Sequence, residues 1–308
     1  MSSLRNGAAR RSPALHFAQG LLMGGADVIP GVSGGTVALI VGIYSRLIAS
    51  IRSAVGIGLA GLRGDRLGAR RSTGEVEWLL VLPLGLGIIC ALGIGSAVIP
   101  TLLERYPVQM SALFFGLIVG SLALPWGRSG AAGPTRLVIA GAAAVVAFAL
   151  VGLPPREVSD PGLVRVFLSA AVAICAMILP GVSGAFLLLV LGLYEHTLDA
   201  IKHLDLLYIA VFGAGAVLGL GAFSKLLSYL LDEHHDLTMA ALTGLMAGSL
   251  RALWPWLTED RGLLAPPGIG EALAALLIGV VGALAVMALI RVGGRRVETA
   301  PLTNAERD

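Results

Sequence analysis

The sequence predicts an all-α, polytopic membrane protein made of two inverted repeats, each a broken, re-entrant helical hairpin plus three transmembrane helices. Three observations support that expectation. Of 308 residues, 56% are hydrophobic and 13% charged, with a mean hydropathy of +0.87, far from the range of a soluble domain. Apolar runs recur at about 20 residues, the length that crosses a hydrocarbon core about 30 Å thick. The string PGVSGG at Pro30–Gly35 returns as PGVSGA at Pro180–Ala185.

The runs fall at 14–29, 32–50, 77–101, 108–126, 135–153, 163–179, 182–198, 206–231, 237–257 and 267–292, ten helical elements in all. The four that flank the Pro-Gly breaks are too short or too interrupted to cross comfortably. Repeat 1 therefore spans 14–153: a broken hairpin at 14–50, a basic cytoplasmic loop at 52–76, and three helices. Repeat 2 spans 163–292, with its hairpin at 163–198 and three more helices, and 1–13 and 293–308 are cytoplasmic tails. His16, Gln19 and Asp27 interrupt the first apolar run, which reads as a membrane element and not a cleaved signal. Cys90 and Cys175 lie inside spans and read as small packing residues, without a disulfide or zinc framework.

Basic residues orient the chain. Arg5, Arg10, Arg11, the six Arg of 46–71, Arg128, Arg136 and the Arg residues from 291 onward share one face. The opposite face keeps Arg105, Arg156, Arg165, Lys202, Arg251 and Arg261. The richer face is cytoplasmic, with both termini inside, whether each broken pair re-enters or spans twice. A net charge of +3 gives no indication of a nucleic-acid partner, and the basic loop suits anionic headgroups.

The repeat is legible in register. At an offset of 150, PGVSGGTVALIVGIYSRLIASI falls on PGVSGAFLLLVLGLYEHTLDAI, aligning Ser33 with Ser183 and Tyr44 with Tyr194. GLIVGSL at Gly116–Leu122 is echoed by GLMAGSL at Gly244–Leu250. Each half makes an odd number of crossings, so the second is upside down. Inverted repeats with Gly/Pro-interrupted segments at matching positions point to a transporter whose site lies near the midplane.

Proline has no N–H and disfavours helix in the residue before it, so Ile29 and Leu179 should end one half-helix and new helices should start near Val32 and Val182. Their first N–H groups lack intrahelical acceptors. Within a membrane such backbone must be buried in protein, line water or hold a ligand. Ser33 and Ser183 can cap the new helices, and Gly34, Gly35 and Gly184 remove side chains where a ligand would approach the backbone. The suited ligand is a phosphate or another compact oxyanion. One helix end contributes roughly 0.3–2 kcal/mol and a charge-assisted hydrogen bond about 1.5–3 kcal/mol, against several for dehydrating the ion. Two converging ends answer that cost where one does not. The bland alternative is that the breaks only let helices pack closely.

Asp27 precedes the first motif and would repel a phosphate if ionised, so it suggests a proton or sodium carrier that couples transport to an ion gradient; the alternative is an interfacial cap or Arg partner. Glu195 has Ser45 at its matching position and reads more as an interfacial residue than a ligand. Arg251, in GSLRALWPW, is either a bidentate phosphate contact or a boundary anchor beside Trp254 and Trp256. Lys225 is similarly open. DEHHD at Asp232–Asp236 reads as solvated loop and not a metal site. Nucleotide fingerprints, catalytic triads and zinc helix motifs are lacking in the sequence.

DVIPGVSGGTVALIVGIY, LPGVSGAFLLLVLGLYE and GLMAGSLRALWPW resemble the bacterial and archaeal polyprenyl-phosphate transporter family over about residues 14–292. The resemblance implies a flippase in the bacterial cytoplasmic (inner) membrane. Such proteins return undecaprenyl phosphate, the lipid carrier of cell-wall glycans, from the outer to the inner leaflet and so supply peptidoglycan precursors. It implies a headgroup site that involves Asp27, Ser33, Gly34, Gly35, Thr36, Ser183, Gly184, Glu195 and Arg251, with Ala185 standing where the first copy has Gly35; of these, Asp27 and Glu195 are the acids we assign to ion coupling. The partners implied are the polyprenyl-phosphate lipid and the surrounding membrane lipids. No cofactor is implied beyond coupling H+ or Na+, and the oligomeric state is open. Membrane undecaprenyl-pyrophosphate phosphatases carry a similar PGxSRS loop, but Gly34 and Gly184 occupy its Arg position here. A small-anion transporter is the third reading.

Overall fold

A computed structural model describes residues 12–27, 33–130, 133–154, 158–159, 161–258 and 260–298. The first half contains α1 (Pro13–Asp27), α2 (Gly34–Ile40), α3 (Tyr44–Leu62), α4 (Arg66–Glu75), α5 (Trp78–Arg105), α6 (Pro107–Ser121), α7 (Ala123–Arg128) and α8 (Pro134–Val151). The second contains α9 (Leu163–Ile178), α10 (Gly184–Leu191), α11 (Tyr194–Lys202), α12 (Leu206–Glu233), α13 (His235–Ser249), a 3-10 turn (Leu250–Leu253) and α14 (Ile269–Glu298). No strand occurs among the described residues, and the fold is all-α.

Among the described residues five helices are long and apolar enough to cross a membrane, in α5, α6–α7, α8, α12 and α14, and α10 with α11 would make a sixth if counted as one span bent by 103°. The chain is a multi-pass membrane protein. Its outward faces carry Leu79, Val138, Val217 and Leu276, each more than half exposed, as helices solvated by lipid require. α13 stops at 15 residues, shorter than the 237–257 run, because Ser249 turns the chain into the 3-10 segment.

The other departure is the basic loop. α3 runs on to Leu62, and α4 forms within 52–76, capped by Asp65, which accepts the Gly68 N–H at 2.9 Å. α4 buries no residue, so it has no apolar stripe that a periodicity reading could detect. It lies against α3, with the Ser53 hydroxyl donating to Glu75 at 3.3 Å.

Helix pairing follows one scheme twice. α1 packs on α5 as α9 packs on α12, and α6 packs on α14 as α13 packs on α8. Glycines make these approaches possible. A Cβ at Gly116 would stand 1.8 Å from the Gly279 carbonyl oxygen, and one at Gly244 would stand 2.1 Å from that of Ala140; small residues let membrane helices meet at backbone distance. Ser121 and Ser249, at matching positions, are both fully buried and return their hydroxyls to the Ile118 and Met246 carbonyls at 2.7 and 2.8 Å. The main apolar core lies beneath the breaks and joins Met23, Leu39, Ile43, Leu84, Leu227 and Leu242 from both halves.

Candidate functional site

α1 ends at Asp27, and the chain is described again from Ser33, an extended N-cap residue (φ −127°, ψ 136°) from which α2 starts. Ile29 and Val32, where the sequence places the helix end and restart, lie outside the described residues, as do Pro30 and Gly31. In the second half α9 ends at Ile178 with Leu179 as its extended cap, Gly181 turns left-handed at φ +86°, and Ser183 caps α10. A side chain at Gly181 would be strained by that φ and would sit 2.8 Å from the Met246 Cα.

The two breaks meet. The Ser33 hydroxyl is within reach of the Met177 and Leu179 carbonyls, at 3.4 and 3.3 Å. Thr36 Oγ1 accepts the Gly181 N–H at 3.0 Å, and the Tyr44 hydroxyl donates to the Ile178 carbonyl at 3.1 Å. The start of α2 and α3 therefore completes the backbone hydrogen bonds that the second break leaves open. Ser33 and Thr36 are each only 2% exposed, so water does not provide these partners. At Gly35 a Cβ would lie 2.7 Å from the Ile178 carbonyl oxygen; the missing side chain leaves room for the other break.

The donors are unequally disposed. At α2, Asp27 Oδ1 accepts the Gly34 N–H at 2.6 Å, and Ser33 Oγ accepts that of Gly35 at 3.2 Å. Asp27 thus places an acidic oxygen where an anion would bind at this helix start. At α10, Ser183 Oγ accepts the Phe186 N–H at 3.4 Å. Among the described residues, the Gly184 and Ala185 N–H groups have no acceptor. Ala185 is exposed, Ser183 half-buried and Gly184 buried. Of the two starts, α10 is the open one.

Arg251 lies in the 3-10 turn after α13, donating to the Phe148 carbonyl at 3.2 Å and the Arg261 carbonyl at 3.1 Å. It ties α8 to the 254–264 connection. Arg261, which the sequence reading only counted, lies 4.2 Å over the ring of Phe186, in the first turn of α10. Glu195 is exposed in the first turn of α11, and Lys225 is exposed on α12; no hydrogen bond or ion pair brings either to the breaks. No cluster of three metal-ligating side chains occurs among the described residues, Asp232–Asp236 included. Tyr44 is the other residue whose role was missed. Its match with Tyr194 was visible, but its reach into α9 was not.

A family model described as VCA0040-like, undecaprenyl phosphate translocase-like, matches residues 23–269. A Vibrio cholerae protein named polyprenyl-phosphate transporter is 39% identical over 241 residues, covering 78% of this chain and 77% of that one. A Staphylococcus aureus protein of the same name is 28% identical over 295 residues, 90% of this chain and 96% of that one. No solved structure matches significantly. With both breaks and four of the five long spans inside that match, the chain belongs to the undecaprenyl phosphate translocase-like family.

Proposed function

We propose that this protein carries undecaprenyl phosphate, or a polyprenyl phosphate of similar length, across the bacterial cytoplasmic membrane and so returns the lipid carrier for cell-wall glycan synthesis. The two relatives named polyprenyl-phosphate transporter support the substrate. The contact between the breaks, Thr36 Oγ1 to the Gly181 N–H at 3.0 Å, is the observation behind the mechanism. It brings two helix starts from opposite halves to one place, as midplane sites in inverted-repeat carriers require. The twice-used pairing scheme supports inverted, re-entrant halves, and the arginine imbalance supports cytoplasmic termini.

In this reading the prenyl tail stays in lipid and only the headgroup crosses, so no bond is broken and the protein is a carrier, not an enzyme. At the breaks, the phosphate meets Ser183 and the unpaired Gly184 and Ala185 donors ahead of those of α2. Gly34, Gly35, Ser33 and Thr36 join when Asp27 takes up a proton or a sodium ion and releases the Gly34 N–H. Two charge-assisted hydrogen bonds at about 1.5–3 kcal/mol each begin to offset the dehydration penalty, and the second helix start supplies the remainder. Asp27 thereby couples anion binding to an ion gradient. Arg251 adds a cation near the open start, and Glu195 is a weaker coupling candidate because it is exposed.

The test is leaflet transfer in proteoliposomes, with inorganic phosphate release measured in parallel. Transfer of undecaprenyl phosphate without phosphate release from the pyrophosphate lipid is expected. Release of phosphate by purified protein would make it an enzyme. Competition by chloride or inorganic phosphate with no response to prenyl length would make it a small-anion carrier.

A further inference from the structure

Arg251 and Arg261 meet beside the α10 start, the Arg251 guanidinium donating to the Arg261 carbonyl and the Arg261 guanidinium lying over Phe186. Arg251 donates to two carbonyls and lies 4.7 Å over the Phe148 ring. Arg261 lies over Phe186 and approaches the Val151 carbonyl at 3.5 Å. Among the described residues neither has a carboxylate within ion-pair distance. Burial, together with the neighbouring Arg251 charge, lowers the Arg261 pKa from its ordinary value, the direction expected when like charges are held together in a partly dry place. Arg261 also adopts a left-handed φ of 60°, costly for a residue with a Cβ. The connection that holds it there is pinned by the Leu257–Leu263 bridge and by Trp254 Nε1 donating to the Leu264 carbonyl at 2.9 Å. Among the described residues, Arg251 Nε and Trp256 Nε1 are buried with no hydrogen-bond acceptor.

An apolar cavity of about 390 Å³ adjoins this cluster between α6 and α14, walled by Phe115, Gly116, Trp254, Trp256, Leu276 and Gly279. A second cavity of about 280 Å³ shares Phe115 and Trp254 with it and reaches Arg251. Leu276 and Val280 are 62% and 45% exposed, so the larger cavity opens on the lipid-facing side. The Arg251 guanidinium at one end, with Arg261 behind it, and a greasy slot at the other match a single-tailed anionic lipid.

We propose that Arg251 and Arg261 form a receiving site for the phosphate of a prenyl-phosphate lipid arriving sideways from the bilayer, with its first isoprene units in the α6–α14 slot, before the headgroup passes to the α10 start. This rests on the prenyl-phosphate reading above and adds Arg261, the two tryptophans and the slot to it. The shared chemistry is a phosphate monoester, so a lipid headgroup must be distinguished from free phosphate.

The experiment measures binding of a long-chain prenyl phosphate to the full-length protein in neutral phosphatidylcholine nanodiscs, with inorganic phosphate, geranyl phosphate and a long-chain prenyl alcohol as competitors. Arg261→Gln is expected to weaken binding about tenfold to a hundredfold, the worth of one charge-assisted contact, and Arg261→Lys to restore part of it. Geranyl phosphate and the alcohol should compete poorly and inorganic phosphate hardly at all. Unchanged affinity in Arg261→Gln, or competition by inorganic phosphate equal to that of the lipid, overturns the proposal. If Arg261→Gln fails to fold, residue-resolved phenylglyoxal labelling of the wild type decides. Prenyl phosphate but not the alcohol should protect Arg251 and Arg261, and equal labelling overturns the site. Wild-type protein that transfers the lipid while binding is indifferent to Arg261 sinks this site alone, whereas wild-type protein that transfers no prenyl phosphate sinks the underlying reading as well.

Discussion

Asp27 accepts the Gly34 N–H at 2.6 Å across the first break, so an acidic side chain of the chain itself fills the helix start where a phosphate would bind. Asp27→Asn keeps an oxygen acceptor but removes the titratable group. We expect this variant to fold and to transfer lipid with a rate that no longer varies with pH or sodium. Full retention of the wild-type ion dependence in proteoliposomes would remove Asp27 from coupling.

Thr36 serves the other break. Replacing it with valine leaves the Gly181 N–H buried without an acceptor, which costs about 1–3 kcal/mol. The melting temperature in detergent should fall for Thr36→Val and recover in Thr36→Ser. Amide exchange at Gly181 should quicken only in the valine variant, and an unchanged exchange rate there would contradict the contact.

Gly35 and Gly25 make a matched pair. A Cβ at Gly35 would meet the Ile178 carbonyl oxygen at 2.7 Å, whereas one at Gly25 would meet nothing within 4 Å. Gly35→Ala should lower stability by about 1–3 kcal/mol, the usual cost of overpacking, and Gly25→Ala should leave it unchanged or slightly raised, as expected for alanine in a helix. Equal melting curves for the two variants would show that the halves do not touch at Gly35.

Gly116 and Gly244 occupy matching places against α14 and α8. Leucine at either should abolish the close helix approach and reduce the yield of folded protein in detergent to a similar degree. A severe defect at one and none at the other would break the equivalence of the halves.

By contrast, the Arg46–Glu77 ion pair is exposed on both sides, and such pairs contribute about 0–1 kcal/mol. Arg46→Gln should melt within a degree or two of wild type, and its transfer rate should be unaffected.

The sequence made the breaks legible because proline and glycine constrain backbone locally, and the order of Ser33 and Ser183 before each helix start follows from capping alone. What joins the breaks was not legible. Ser33 reaches carbonyls 144 and 146 residues away, and no local pattern encodes which half provides the side chains and which the backbone. Asp27 could be recognised as a residue needing compensation, but not that Gly34, on the far side of the break, would provide it. α4 escaped because a helix with no buried face leaves no apolar period. Arg261 escaped because its environment is made by Phe186, distant in sequence, and by the fold of the connection that brings Arg251 back to it, while its own neighbours read as a polar connection. The helix pairings were half visible: GLIVGSL and GLMAGSL announced a repeat, and the structure adds that their glycines meet α14 and α8.

The most direct measurement of the central claim is undecaprenyl phosphate transfer by the Ser33→Ala/Ser183→Ala double variant, compared with each single variant and wild type at equal folded protein. If the two helix starts hold the headgroup together, the double variant should lose nearly all transfer and each single variant a part of it. Wild-type flux in a double variant that keeps its melting transition would contradict the account.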